Sequence, residues 1–439
     1  GRDLRCRRGR YPPAQAGRGG RPHPDHARPN RRAAVELSAA SAPKPVDWRR
    51  NLAALWFAEF TAIFGFSFAY PFLSIFIAQD LHVSAGSDLD LWTAAAASAS
   101  GLAMTIASPI WGLLGDRLGR KPMLIRSMVG GAITVGLMFF AQTPLQLVIL
   151  RFLQGATSGT VAAATALVAA ETPRPRVGWA LGVLTSSIAL GGAIGPVIGG
   201  FAGAAVGLRL VFLGGGILLM LSMIPVLFVV RESERRKREG TRPGMLSTIR
   251  QRPGTVRALA VLVGAQGLVT LVQSASQQLV VLKLYEMLAG GASAAAGLAF
   301  GAAGITNSGA AIAYTRVTKR LGFVRTGAGA SLLLAATLAL LPFAPTAALV
   351  VLIIGVTGLL NGTVVPATAA MIGMEAPNEV QSTIFGINAS SVAFGFFLGP
   401  LVGGGIAATA GVPAALVVTS VIALGLAGLL GIGAREPVR

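Results

Sequence analysis

From Asn51 onward, long apolar runs alternate with short polar breaks. Twelve runs stand out, at about 51–78, 92–115, 123–142, 145–170, 178–205, 209–230, 256–283, 293–315, 325–343, 346–374, 382–408 and 412–433. Each reaches about the 20 residues that a helix needs to cross a hydrocarbon layer of roughly 30 Å. The pattern predicts an all-α membrane protein with twelve transmembrane helices. Composition supports it: the chain is 53% hydrophobic and 12% charged, against about a quarter charged in soluble proteins. Residues 1–46 break the pattern. Arg, Pro, Gly and Ala crowd there without an apolar period, which predicts a disordered basic tail.

A net charge of +20 would suit a nucleic-acid partner, but its distribution does not. Thirteen of the 37 Lys and Arg residues lie in 1–50, and nine more lie in 231–257. With the N-terminus inside, 34 of the 37 fall in the two tails or in inside connections. Arg209 and Lys283 fall outside, and Arg151 falls within a span. Basic residues are retained on the cytoplasmic side. The split therefore predicts cytoplasmic termini and an even number of spans, with no nucleic-acid partner. Asp80, Asp88 and Asp90 occupy the first outside loop instead.

The charged stretch at 231–255 divides the spans six and six. The expected organisation is a six-helix bundle at 47–230, a cytoplasmic linker at 231–255, a second bundle at 256–434 and a short tail at 435–439. Repeats support two related halves. "SSIALGGAIGPVIGG" begins at Ser186 and "SSVAFGFFLGPLVGG" at Ser390, an offset of 204 residues in segments 5 and 11. Gly155 and Gly159 of segment 4 match Gly358 and Gly362 of segment 10, and "GDRLG" at 115–119 matches "TKRLG" at 318–322, both at offset 203. Two pseudo-symmetric six-helix bundles are the design of carriers that bind solute between the halves. Glycines spaced by four with a mid-helix proline let a helix pack closely and bend.

Three motifs then become specific. "GLLGDRLGRKPML" spans 112–124, "LVILRFLQGATSG" spans 147–159, and Gly191, Gly195, Pro196, Gly199 and Gly200 form G-x-x-x-G-P-x-x-G-G. On these motifs, residues 48–434 resemble the major facilitator superfamily, and within it the proton-coupled multidrug antiporters of the MdtG/MdfA type. The resemblance implies that Gly112, Asp116, Arg117, Gly119, Arg120 and Lys121 form a latch between the halves, with the start of segment 11 as partner. Lys319 stands at the Asp position of the second copy, so the latch should be asymmetric. It implies a part in proton coupling for Arg151, whose counterpart is Ile354. An arginine inside a span costs at least roughly 2.5–3.5 kcal/mol and normally faces a partner or a cavity; snorkelling to the outer interface is the alternative. The Gly191–Gly200 phrase resembles the antiporter motif of exporters.

Of the 17 acidic residues, Glu59 alone lies well inside a span. Burial disfavours a charged carboxylate, so Glu59 is the candidate proton carrier. A structural hydrogen bond near the inner interface is the alternative. Its setting, "WFAEFTAIFGFSFAYP", resembles the first helix of the MdfA-type antiporters, with Ser67 where those proteins carry a second acid. Glu59 and Arg151 should lie roughly 18 Å apart along the membrane normal, too far to pair in straight helices.

Gln266, Thr270, Gln273 and Gln277 form one polar stripe on segment 7. With Phe66, Tyr70, Gln154, Asn307, Asn361 and Asn388, this stripe supplies candidate cavity residues. An apolar, aromatic cavity near one acid suits lipophilic or cationic small molecules. The overall expectation is a monomeric carrier in the bacterial inner membrane, exporting drugs against protons by alternating access, with the proton gradient in place of any cofactor. A carrier of one metabolite, such as a sugar or peptide, is the alternative. Paired intramembrane carboxylates and metal-ligand spacings are both absent, so no enzyme and no metal are expected.

Overall fold

The structure is a computed structural model of the chain, describing residues 47–233, 253–288, 290–377 and 381–436. The tail at 1–46 and most of the expected linker, 234–252, lie outside the described residues, as do the side chains of Asp116 and Arg117. Among the described residues all regular structure is helical. The helices are α1 Trp48–Gln79, α2 Ser87–Leu118, α3 Arg120–Phe140, α4 Pro144–Glu171, α5 Val177–Val206 and α6 Leu208–Phe228. The second set is α7 Pro253–Leu288, α8 Ala292–Leu321, α9 Phe323–Phe343, α10 Ala347–Glu375, α11 at 381–410 and α12 at 412–433. Ten described stretches are long and apolar enough to cross a membrane. The last of these, Ile384–Gly433, folds back at Gly411 (φ 83°) and makes two crossings, and the 32-residue α2 completes twelve.

The halves repeat one another at their joints. Gly119 and Gly322 end α2 and α8, while Gly207 and Gly411 end α5 and α11, all with positive φ. Thr143 and Thr346 each accept a first-turn N–H, of Gln146 and Leu349, at the start of α4 and α10. A further repeat closes each half. The Glu232 carboxylate accepts the N–H groups of Arg120 and Lys121, each at 3.0 Å. That of Glu436, 204 residues on, accepts those of Phe323 and Val324, each at 2.9 Å. A carboxylate at a helix N-terminus satisfies orphan donors and meets the positive end of the dipole.

The glycine phrases place each half against the other. Gly191, Gly195 and Gly199 turn toward α1: an added methyl would lie 2.8 Å from Phe60 O at the first, 2.7 Å from Ser67 Cβ at the second, and inside contact with Phe68 O at the third. Gly200 turns the other way, onto Ser293 O and Gly297 of α8. The second copy does the same. Gly395, Gly399 and Gly403 face α7, while Gly404 faces Ala94 and the backbone of Asp90 in α2, with the Gln278 side chain of α7 beside them. Three glycines thus seat the helix in its own bundle and a fourth seals it against the other bundle.

The Gly200 and Gly404 seals lie toward the end opposite the termini, where α5 meets α8 and α2 meets α11, and the α2–α11 contact runs on to mid-helix, with Gly101 against the backbone of Phe396 and Phe397. At the termini end, where α1 begins and α12 stops, Gly112 of α2 has no neighbour within 4 Å of an added methyl. Both basic residues expected on the outside tie helix ends together. Arg209 pairs with Asp80 at 3.3 Å and donates to Phe139 O and Ala141 O, and Lys283 donates to Pro342 O.

Candidate functional site

Between the bundles lies a cavity of about 420 Å³. Ser67, Tyr70 and Pro71 of α1, Gln273, Ser276 and Gln277 of α7, Asn307 and Ser308 of α8, and Thr357 and Asn361 of α10 supply most of its polar wall. Phe300 and Phe396 add aromatic surface. Every lining residue is uncharged. The Asn361 Oδ1 atom is buried without a hydrogen-bond partner among the described residues, so the cavity holds an unused acceptor.

Five of the expected cavity residues, Tyr70, Gln273, Gln277, Asn307 and Asn361, line this space, and Gln266, Thr270, Phe66, Gln154 and Asn388 do not. Phe66 points into the first bundle, where a methyl on Gly131 of α3 would come within 2.9 Å of its Cζ. Gln154 is occupied by a hydrogen bond from Arg151. Asn388 lies outside the lining, although its Oδ1 is also buried without a partner. Phe66 goes astray because the face of α1 through Gly65 and Phe66 packs on α6 and α3. The stripe through Ser67 and Pro71 faces the cavity instead. The missed signals were Ser67 and Ser276, small polar residues at helical spacing from Pro71 and Gln273.

Glu59 is 0% exposed, and neither carboxyl oxygen has a hydrogen-bond partner among the described residues. It does not line the cavity. Arg151 is buried and does not snorkel. Its Nε donates to Ala96 O at 3.2 Å, its Nη2 to Ser100 Oγ at 2.7 Å and its Nη1 to Gln154 Oε1. Its guanidinium carbon lies 4.5 Å from the centre of the Tyr70 ring. It thus locks α4 to α2 directly behind a cavity-lining ring. Gly155 allows this, since a methyl there would collide with Ser100 O. Glu59 and Arg151 share no bond.

A second arginine sits within a membrane helix, α3. Arg126 stacks 3.6 Å from the centre of the Trp111 ring and donates to Ser158 O, where α4 breaks at Gly159 with φ 125°. Trp111 Nε1 donates to Ala156 O on the same break. In the second half, Gly362 remains inside an unbroken α10. Of the expected latch residues, Gly119 forms the turn. Arg120 and Lys121 are held by Glu232 through their backbones, and Lys121 Nζ also donates to Val230 O and Leu227 O. These contacts stay within the first half.

Two repeated bundles that enclose a polar cavity, sealed at one end, define a membrane carrier of small solutes. The chain belongs to the Major Facilitator Superfamily, whose pattern matches residues 55–290 and 280–439. It is 32% identical over 390 residues to the multidrug resistance protein MdtG of Dickeya zeae (strain Ech586), covering 87% of this chain and 93% of that one. It is 33% identical over 399 residues to MdtG of Rahnella sp. (strain Y9602), covering 88% and 94%. Among solved structures, a bacterial homologue of the human lysosomal transporter Spinster, inward-facing and unoccupied, superposes with a TM-score of 0.73 at 14% identity, covering 89% of this chain and 98% of that one. The human organic anion transporter MFSD10 gives a TM-score of 0.63 at 18% identity, covering 88% and 99%.

Proposed function

We propose that this protein exports drugs or other lipophilic small molecules in exchange for protons, by alternating access of the central cavity. Its termini face the cytoplasm, where the sequence concentrates its basic residues. The structure then corresponds to an inward-facing state, since the bundles meet at the far end. The observation that carries the reading is the cavity itself, uncharged and partly aromatic, in a chain with two glycine-proline phrases at matched positions. Similarity to proteins named for multidrug resistance supports the substrate class. Because no carboxylate faces the cavity, the reading favours uncharged lipophilic molecules with hydrogen-bonding groups over organic cations.

Glu59 is the proton carrier in this reading. A carboxylate at its position would be a buried, uncompensated charge costing several kcal/mol. The neutral acid therefore goes with this conformation, and proton release goes with one that admits water to α1. Arg151 links α4 and α2 to Tyr70, so movement of that ring on solute binding reaches the packing of the first bundle. The latch of Gly112, Asp116 and Arg117 closes on α11 in the opposite state. The deciding experiment is efflux from inverted vesicles under an imposed pH gradient. Glu59→Gln should still exchange solute but ignore the gradient, and unchanged proton-driven efflux removes Glu59 from the mechanism. The amides of Gln273, Gln277, Asn307 and Asn361 favour one second reading, a carrier of a single polar metabolite. Competition among chemically unrelated solutes separates the two.

A further inference from the structure

A second concavity lies at the termini end, on the first bundle and away from the central cavity. It is a groove of about 720 Å³ between the first turns of α1 and the start of α5. Trp48, Leu52, Trp56, Phe57, Trp179 and Val183 give it an apolar wall, and Arg49 and Arg176 complete it. Phe57 and Trp179 are 60% and 63% exposed. Rings so exposed at the end of membrane helices belong at the lipid interface, where tryptophan is enriched.

The two arginines are placed unusually. Their guanidinium carbons converge on one indole, at 5.4 Å (Arg49) and 5.6 Å (Arg176) from the Trp48 ring. Trp48 in turn meets Trp179 edge to face at 6.4 Å. Retention of positive charge at the cytoplasmic side asks for basic residues near a helix end. It does not ask that two of them share one aromatic ring over an apolar groove. Among the described residues the one ion pair is Asp80 with Arg209, at the opposite end, so neither guanidinium has an acid. The carboxylates nearest in sequence are occupied: Asp47 accepts the backbone N–H groups of Arg49 and Arg50 as the cap of α1, and Glu171 accepts from the backbone N–H and hydroxyl of Ser233. Both arginines line the groove, and each offers a planar fork that matches the oxygens of a phosphodiester. Below them, Trp56 is oriented by its Nε1–H bond to Ser186 Oγ and stacks on Phe60 at 5.5 Å, leaving an ordered aromatic floor.

We infer that this groove binds an anionic glycerophospholipid of the adjoining leaflet, with the phosphate between Arg49 and Arg176 and an acyl chain along Trp56 and Phe57. The charge complementarity of the paired arginines selects an anionic headgroup, and the apolar wall selects a lipid over a free phosphate. The test uses the full chain in nanodiscs and reads tryptophan fluorescence, since three of its five tryptophans line the groove. Brominated phosphatidylglycerol and brominated phosphatidylcholine are titrated as quenchers against an unbrominated phosphatidylcholine background. Phosphatidylglycerol should reach half-maximal quenching at a mole fraction lower by about fivefold or more, the effect of one interfacial arginine. Arg49→Gln with Arg176→Gln should remove that preference while the final quenching stays the same. Arg316→Gln with Arg320→Gln, which removes the same amount of charge from a helix end of the second bundle, should leave it intact. Equal half-maxima in the parent protein overturn the inference, as does a preference that survives in the first double variant or disappears in the second. Inorganic phosphate competing as well as the lipid would also overturn it.

Discussion

Two adjacent glycines make a sharp test of the division of labour in α5. Gly199 packs against Phe68 of its own bundle, and Gly200 packs against Ser293 and Gly297 of the other. Replacing Gly200 with alanine would put a methyl 3.0 Å from Gly297 Cα and closer still to Ser293 O. Carbon atoms prefer separations of about 3.5–4.0 Å. Both contacts are backbone, so neither can rotate away. Overpacking of this kind costs about 1–3 kcal/mol. The cost falls only on the conformation in which α5 and α8 touch. A change of 1–3 kcal/mol in such an equilibrium is about 5- to 150-fold. Gly199→Ala, by contrast, strains a contact internal to one bundle, so it should lower stability while leaving the equilibrium in place. The reporter is Ser276→Cys in the cavity wall, in a Cys6→Ser background that removes the chain's one cysteine. A membrane-impermeant maleimide, applied to the face opposite the termini, reacts when that end opens. Gly200→Ala should raise the labelling rate at least about fivefold. Gly404→Ala, its counterpart against Ala94 and Asp90, should do the same, while Gly405→Ala, which meets nothing within 4 Å, should not. If Gly199→Ala accelerates labelling and Gly200→Ala does not, the assignment of the two faces is wrong.

Three further outcomes follow from the same geometry. Glu59→Gln should uncouple efflux from the pH gradient while preserving solute exchange in inverted vesicles. Arg151→Lys keeps the charge but loses the fork that reaches Ala96 O, Ser100 Oγ and Gln154 together. With charged hydrogen bonds worth about 1.5–3 kcal/mol each, detergent-solubilised protein should show a clearly lower melting temperature and slower transport. Glu232→Gln and Glu436→Gln each remove a charged cap from a helix start, a loss of about 0.5–2 kcal/mol. Thermal unfolding of the two variants should shift by similar amounts.

The spans were legible because lipid leaves the backbone no alternative to long apolar helices. The twinned halves were legible because close backbone approach leaves glycine in place at a fixed offset. The orientation of α1 was not. Its helical period places Phe66 beside Glu59, but no period says which stripe faces the other bundle, and the acid turned out to face its own. The paired caps were visible as Arg231-Glu232 and Arg435-Glu436 at offset 204, yet a glutamate near a chain end carries no mark of the N–H groups that it accepts.

Those caps have a mechanical consequence. Each bundle anchors its own final residues to the turn that joins its second and third helices, so each is fastened shut by itself. Neither bundle relies on the other to hold its ends, and the tilt between the two is set where they touch.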